Sequence, residues 1–294
     1  MTLRAPETPW FPSPDAALAR LGQAGYLADH ATATTAYLAG VLGKPLLLEG
    51  PAGVGKTELA KAVAAAAGAD LVRLQCYEGL DEARALYEWN YKKQLLRIQA
   101  SGTEQAWEET HDDIFTEEFL LTRPLLAALR RDQPTVLLID EVDKTDVEVE
   151  GLLLEVLSDF QVTIPELGTV TATRLPFVVL TSNATRELSE ALKRRCLFLH
   201  LDYPDAERER AILLSRVPEL PERLAGQLVE AVTRLRELDL KKAPSIAESV
   251  DWARTLLALQ VGTLDDEAIA RTLGVVLKHS SDHDRALRAL RTGR

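Results

Sequence analysis

A glycine-rich stretch, Gly50–Thr57, holds the residues of this chain whose types and spacing most clearly predict chemistry. It fits a pattern of one glycine, four further residues, and then Gly-Lys-Ser/Thr. Its three glycines can take backbone angles that turn successive N–H groups inward, which forms a nest for phosphate oxygens. Lys56 can reach the terminal phosphates, and the Thr57 hydroxyl can take a position around Mg²⁺. The stretch therefore predicts a phosphate-binding loop.

The elements on both sides of this loop fit that interpretation. Residues 45–48 form an apolar run that predicts a short buried strand, and Thr57–Ala67 is rich in strong helix formers. A helix that opens at the loop points the positive end of its dipole toward an anion. The alternative is a chance glycine-rich turn, which would require neither element. The residues predicted to bind the nucleotide are Gly50, Pro51, Ala52, Gly53, Val54, Gly55, Lys56, Thr57 and Glu58.

A second apolar strand, Thr135–Asp140, runs directly into Glu141. After a phosphate loop, this pattern predicts that Asp140 shares Mg²⁺ with Thr57 and that Glu141 orients and deprotonates the attacking water. Asn183 directly follows the next apolar strand. Because parallel strands end at one edge of a sheet, Asn183 is expected to polarise the same water. An asparagine that merely ends a strand in a turn is the alternative for that residue.

The order of the elements predicts the fold class. Strands at 45–48, 70–75, 135–140, 176–181 and 196–200 alternate with helices, whereas the chain after Pro204 reads as helix alone. We therefore predict an α/β domain at 1–203, with a five-stranded parallel sheet sandwiched by helices, and a small all-helical lid at 204–294. Within the first domain we expect an inserted helical stretch at 77–100, a helix at 120–131 and a hairpin at 161–174.

Composition limits the possible partners. Acidic residues outnumber basic ones by 45 to 34, a formal charge of −11, which argues against a protein that binds the nucleic-acid backbone. Cys76 and Cys196 are far apart in sequence and match the spacing of no metal-binding or redox motif. Two unpaired cysteines of this kind are typical of a protein in the reducing cytosol. The N-terminal residues lack the apolar region of a secretory leader, and no apolar run is long enough to span a bilayer. We therefore expect a cytoplasmic protein without a leader or a transmembrane segment.

One acidic segment contains a histidine that could suggest a metal site. Ser101–Glu118 is loop-like and acidic, and its composition is typical of a solvated surface. His111 lies beside Asp112 and Asp113, but a lone histidine among acids has no ligand spacing to support a metal.

The combined motifs resemble the AAA+ ATPases: the phosphate loop, the strand ending in Asp140 and Glu141, Thr181–Asn183, and Lys193–Arg195. Two features are similar to the MoxR branch of this superfamily: the hairpin predicted at 161–174, and residues 73–75, which lead into the insert. Four stretches are similar to its CoxD-like group: residues 74–80, 87–91, 157–168 and 192–198.

The resemblance implies ATP hydrolysis with Mg²⁺ in a homo-oligomeric ring, usually a hexamer, with sites between subunits. Arg194 or Arg195 would then reach the neighbour's γ-phosphate, and Arg195 aligns with the family's recurring arginine. The alternative is that both cations favour a helix C-terminus. The group's role implies a chaperone that matures a client metalloenzyme, a molybdenum hydroxylase of the carbon monoxide dehydrogenase type, with a von Willebrand-type domain protein as a further partner.

The lid departs from the family pattern. MoxR relatives often carry Ser-Pro-Arg there, but this chain has Lys242–Ile246, with Ile246 near the place of the arginine. Lys241, Lys242 or Arg254 could substitute. Two other functions stay open: a motor or loader that acts on nucleic acid with the same fold, and a small-molecule kinase.

Aromatic residues mark the insert. Tyr77, Tyr87, Trp89 and Tyr91 fall within it although only 5% of the chain is aromatic. Large aromatics on an inserted element often anchor a partner. The alternative is that they pack the insert onto its own domain.

Overall fold

The computed structural model describes residues 10–101 and 113–291. Contacts within the chain divide it into two compact units. The first contains the chain up to Glu49 together with Thr57–His200, and the second contains Gly50–Lys56 together with the chain from Leu201 onward. The phosphate loop therefore groups with the helical C-terminal region.

The first unit contains the sheet, its covering helices and two small hairpins. Its elements in chain order are α1 (Pro14–Gln23), α2 (His30–Leu42), β1 (Leu46–Glu49), α3 (Lys56–Ala67), β2 (Asp70–Gln75), α4 (Glu82–Ala85), β3 (Tyr87–Trp89), α5 (Tyr91–Ser101), β4 (Leu120–Thr122), α6 (Pro124–Arg130), β5 (Thr135–Asp140), α7 (Val147–Asp159), β6 (Gln161–Ile164), β7 (Gly168–Thr171), β8 (Phe177–Ser182), α8 (Glu190–Arg195) and β9 (Leu197–His200). The first residue of α3, Lys56, is assigned to the second unit.

Five strands form a parallel sheet in the order β2-β5-β8-β1-β9. Every residue of β5 and β8 is buried, because these strands lie inside the sheet with helices packed against it. This explains their continuous apolar runs. Gln75 of β2 lies opposite Asp140 of β5, so these two strands end level with each other. The predicted fold class is confirmed.

Helices bury the apolar faces of this sheet. α2 contacts β1 and β9, and α6 contacts β2 and β5. The main apolar cluster includes Leu137, Ile139 and Leu180 from the sheet and Leu153 from α7. Each such leucine contributes about 2 kcal/mol through burial. This packing holds the carboxyl ends of β2, β5 and β8 in fixed positions.

The insert is not wholly helical, contrary to the prediction for 77–100. It contains the short helix α4, the strand β3 and the helix α5, and β3 pairs antiparallel with β4. The helix predicted at 120–131 begins only at Pro124. Arg123 has extended backbone angles, as expected of a residue before proline, so the chain cannot be helical across that point. Aromatic residues also favour the strand at β3.

The predicted hairpin within 161–174 is confirmed as β6 paired antiparallel with β7. α7 is followed by its C-cap residue Phe160, whose φ of 48° places it in the left-handed region. The chain then enters β6 and turns back through Gly168, whose φ is 81°.

The second unit is helical after Leu201. Its helices are α9 (Ala206–Arg216), α10 (Glu222–Arg236), α11 (Ile246–Ala258), α12 (Asp266–Thr272) and α13 (Ser280–Arg291). Leucines along α10 pack with Trp252 in a separate apolar cluster. Helix α12 stops at Thr272, and a 3₁₀ turn that contains Gly274 follows, since glycine disfavours helix continuation.

Across residues 10–101 and 113–291, no helix combines the length and apolar character needed to span a bilayer.

Candidate functional site

The phosphate loop leaves no room for side chains at two of its glycines. The φ angles of Gly50, Gly53 and Gly55 are 153°, 77° and 99°, a region that other residues rarely adopt. A Cβ atom on Gly50 would lie 2.0 Å from the carbonyl oxygen of Leu201, and one on Gly53 would lie 2.2 Å from Cβ of Ser245. These contacts explain why this chain carries glycine at both positions, although the general pattern requires it only at the first.

Helix α11 begins against this loop. The amide of Ile246 donates to the carbonyl oxygen of Gly53 at 3.2 Å. Ser245 and Glu248 form a reciprocal capping box, which fixes the first turn of α11. Burial alone would raise the pKa of Glu248, but hydrogen bonds from Ser245 and from Lys242 outweigh it and hold that pKa below its usual range. Ile246 therefore meets the loop through its backbone.

Two of the three predicted lid substitutes pair with acids through their side chains, and the third donates through its backbone. Lys242 donates to Glu248 at 3.1 Å, and Arg254 pairs with Asp251 at 3.6 Å. The Lys241 amide donates to Asp282. The choice among these three cations stays a prediction.

Lys56 points its ammonium into the loop. Nζ donates to the carbonyl oxygens of Gly50 and Pro51, each at 2.7 Å, and the residue is buried. Lys56 is also the first residue of α3, so the loop combines a cation, a helix N-terminus and a glycine cradle. Those features fit a phosphate chain.

Asp140 receives three side-chain donors at the end of β5. Its Oδ1 atom accepts from the hydroxyls of Thr57 at 3.0 Å and Thr181 at 2.6 Å, and its Oδ2 atom accepts from Arg73 at 2.5 Å. The residue is buried. Hydroxyl and carboxylate oxygens are the ligands that Mg²⁺ prefers, so Thr57 and Asp140 fit this metal.

Glu141 has a left-handed backbone, with φ 58° and ψ 48°. For a residue with a side chain this costs on the order of 1 kcal/mol. The Glu141 amide donates to the Thr181 hydroxyl at 2.9 Å, which helps to hold this conformation. Its carboxylate accepts from Gln75 at 2.9 Å and from Lys144 at 2.6 Å. The hydrogen bond to Glu141 raises the pKa of Lys144.

No local sequence pattern indicates a role in the site for Gln75 or Lys144. Gln75 ends the strand next to β5, and Lys144 lies three residues after Glu141 in a 3₁₀ turn. Both positions are recognisable once the strand register is known.

The backbone of Asn183 is held by Asp143, a residue that no local sequence pattern indicates as part of the site. Oδ2 of Asp143 accepts from the amides of Asn183 at 3.2 Å and Thr185 at 3.0 Å, and from the Thr185 hydroxyl at 2.6 Å. Burial of Asp143 would raise its pKa, but these hydrogen bonds outweigh it and lower the pKa. The loop after β8 is therefore tied to the chain after β5.

Comparison with known proteins accords with this geometry. A family described as the AAA domain, dynein-related subfamily, matches residues 45–196, from β1 to the end of α8 and over more than half of the chain. The chain belongs to this AAA family.

Two relatives of this AAA protein are described as uncharacterized proteins. An uncharacterized protein of Staphylococcus haemolyticus is 25% identical over 244 residues, 79% of this chain and 84% of the relative. One from Staphylococcus epidermidis is 27% identical over 262 residues, 85% of this chain and 90% of the relative. Two solved structures of Thermotoga maritima RuvB variants are similar to this chain. The first has a TM-score of 0.51 at 16% identity, and the match covers 90% of this chain and 72% of the RuvB chain. The second has a TM-score of 0.50 at 17% identity, and the match covers 89% of this chain and 68% of the RuvB chain. At that identity they show the fold alone.

Arg194 and Arg195 end α8 in the AAA domain, and both are exposed. Arg195 Nε donates to the Ser158 hydroxyl at 2.6 Å, and Nη1 donates to the Ala191 carbonyl oxygen at 3.2 Å. Within the described residues, neither arginine contacts Asp140 or Glu141. The structure therefore does not bring them together with the acids of the same chain.

Trp89 packs the insert of the AAA domain. It is buried, and its ring lies edge-on to Phe115 at 5.1 Å and to Tyr87 at 6.4 Å. The partner-anchor hypothesis is therefore wrong for Trp89. Tyr91 and Tyr77 are exposed, by 61% and 43%.

No metal-ligand cluster of histidine, cysteine and acidic residues occurs in the part of the chain that the structure describes. His111 and Asp112 lie outside that part. Cys76 and Cys196 are free and buried, and burial raises the pKa of each thiol to about 12. Such thiols are not reactive at neutral pH.

Proposed function

We propose that this AAA protein hydrolyses ATP with Mg²⁺ and uses the cycle to remodel a partner protein. The observation that carries the proposal is the hydrogen bond between Thr57 and Asp140. Thr57 directly follows Lys56 in the chain, so this bond links the end of the phosphate loop to the acid-bearing end of β5. That combination is what nucleoside triphosphate hydrolysis requires.

Each residue then has a defined role. The loop amides and Lys56 bind the phosphates, while Thr57 and Asp140 hold Mg²⁺. Glu141 orients the attacking water and accepts its proton, and Asn183 polarises that water. Bound Mg²⁺ supplies charge neutralisation on the phosphate oxygens.

AAA proteins are typically oligomeric, and we propose a homo-oligomeric ring, a hexamer, for this chain. Arg195, or Arg194 as the alternative, would act on nucleotide bound by the neighbouring subunit. The exposure of both side chains at the end of α8 supports this assignment. A permanently charged guanidinium is suited to stabilising charge spread over a phosphoryl group.

The proposed client is a metalloenzyme of the molybdenum hydroxylase type, with a von Willebrand-type domain protein as a further partner. This finer proposal is supported by the MoxR-like and CoxD-like stretches of the sequence. The acidic balance of the chain, a formal −11, weighs against a nucleic-acid motor.

Product analysis tests the reaction. Purified protein with ATP and Mg²⁺ should form ADP and inorganic phosphate in equal amounts. In a parallel reaction with a small-molecule extract added as a source of acceptors, ADP formed without phosphate release would indicate transfer to a metabolite and a kinase. Strong stimulation by single-stranded or duplex DNA would favour the nucleic-acid motor. For the client, co-expression with a molybdenum hydroxylase should raise its specific activity only when Glu141 is intact.

A further inference from the structure

Arg73 places a cation directly on the predicted metal ligand. It lies on β2, two residues before Gln75, which is the register partner of Asp140, so its side chain emerges on the same face of the sheet. Its Nη2 atom is 2.5 Å from Oδ2 of Asp140. The Asp140 side chain is 3% exposed, whereas that of Arg73 is 48% exposed. The pair therefore joins a buried carboxylate to a side chain that can leave into solvent.

The same guanidinium extends the link to Glu141. Arg73 Nη2 also donates to Oε1 of Gln75, and Nε2 of Gln75 donates to Oε2 of Glu141 at 2.9 Å. One cation on the edge strand thus connects, directly and through Gln75, to both acids. Charge-assisted hydrogen bonds of this kind are stronger than neutral ones.

The contacts of Asp140 show what a metal ion would have to replace. Among the described residues, Thr57 and Thr181 donate neutral hydroxyls to it, and Arg73 alone brings a positive charge into contact with it. Mg²⁺ requires oxygen ligands at about 2.0–2.1 Å. A guanidinium on the same carboxylate repels a divalent ion at that distance and occupies an oxygen that could serve it.

We propose that Arg73 is an internal counter-ion of Asp140 which Mg²⁺ must displace, so that this arginine sets the metal concentration at which nucleotide binds together with its ion. The inference rests on the proposed function, because it concerns the same site. Arg73 acts through Asp140 and is a positioning residue.

The test replaces Arg73 with glutamine and measures metal binding in place of turnover. ADP is held at a fixed concentration, Mn²⁺ is titrated as the probe, and free Mn²⁺ is followed by electron paramagnetic resonance. The Mn²⁺ concentration at half-saturation should be about fivefold lower for Arg73→Gln than for the wild type. This factor corresponds to the interaction free energy of a partly exposed ion pair. ADP binding without metal should not change.

Arg131→Gln is the matched control. Arg131 pairs with Asp70 at the opposite end of β2 and is similarly exposed, but it does not contact Asp140. Its Mn²⁺ midpoint should equal that of the wild type. An unchanged or raised midpoint in Arg73→Gln would overturn the proposal.

Folding and the parent proposal can be separated from this result. Circular dichroism and thermal melting report whether Arg73→Gln folds, and Arg73→Ala provides a second neutral variant. If neither folds, Arg73 is a folding residue and the inference fails. If the wild-type protein binds no nucleotide, the proposed function is overturned. If the wild type binds nucleotide but the Mn²⁺ midpoint of Arg73→Gln equals that of the wild type, only the role of Arg73 is overturned.

Discussion

The hydroxyl of Thr57 donates a hydrogen bond to Oδ1 of Asp140 across 3.0 Å. This contact joins the first turn of α3 to the end of β5, two elements that come from distant parts of the sequence. Lys56 precedes Thr57 and Glu141 follows Asp140. Phosphate binding and water activation can therefore be tested by separate substitutions on the two sides of one hydrogen bond.

Lys56→Ala should abolish ATP binding, because it removes the ammonium that the loop holds between the carbonyl oxygens of Gly50 and Pro51. Equilibrium binding of ATP at matched Mg²⁺ measures this. Lys61→Ala is the control, since Lys61 lies on the same helix, is exposed and pairs only with Glu58 among the ion pairs of the described chain. Wild-type affinity in Lys56→Ala would remove Lys56 from phosphate binding.

Glu141→Gln should keep ATP binding and lose turnover by about 100-fold or more, because the amide preserves shape but cannot accept a proton. Phosphate release and ATP binding are measured on one preparation. Glu148→Gln, an exposed change in the first turn of α7, should leave both unchanged. A near wild-type rate in Glu141→Gln would exclude Glu141 as the base.

Arg195→Ala subunits should bind ATP yet hydrolyse it poorly if this arginine serves the neighbouring subunit. Mixing them with Glu141→Gln subunits should restore part of the activity, because some interfaces then combine an intact Glu141 with an intact Arg195. Arg194→Ala, tested in the same series, decides between the two arginines. An absence of recovery in rings shown to be mixed would favour the helix-terminus role, in which Arg195 only contacts Ser158 and its own helix.

Trp89→Ala should lower the free energy of unfolding by about 3–5 kcal/mol, because it empties a buried site beside Phe115. Tyr91→Ala removes an exposed ring two positions later and should change it by no more than about 0.5 kcal/mol. Denaturant unfolding measures both. Equal stability losses in the two variants would contradict the burial difference between them.

The Asp143 carboxylate should make the stability of the folded protein depend on pH. Since its pKa is lower in the folded protein than in the unfolded chain, its contribution is complete above the ordinary aspartate value and is lost as pH falls through the folded value. The melting temperatures of the wild type and Asp143→Asn should therefore differ most above about pH 5, and the difference should shrink progressively as pH falls below about 4. Asp132→Asn, an exposed change, should follow the wild type throughout. A constant difference across this range would argue against the ionised carboxylate as the cause.

The sequence was sufficient where local pattern decides structure. The phosphate loop and the strand ending in Asp140 depend on short contiguous signals, so both could be predicted. Asn183 could be expected near them because parallel strands end at one edge. The insert could not be predicted, because β3 exists only through pairing with β4, more than thirty residues later, and that pairing is non-local.

The partners of the acids were missed for the same reason. Gln75 reaches Glu141 only because β2 and β5 pair with Gln75 opposite Asp140. Asp143 holds Asn183 only because β8 lies beside β5. Such contacts depend on register and tertiary packing, which no local window contains.

The packing of the phosphate loop against Ser245 and Ile246 has a consequence for biosynthesis. The loop leaves the ribosome early, but the residues that fix Gly53 follow about 190 positions later. At about 5–20 residues per second, that delay lasts roughly 10–40 s. A nascent chain can therefore complete its sheet while its loop still lacks these contacts. The proposed nucleotide site would therefore gain its contacts with Ser245 and Ile246 only after those residues have been synthesised.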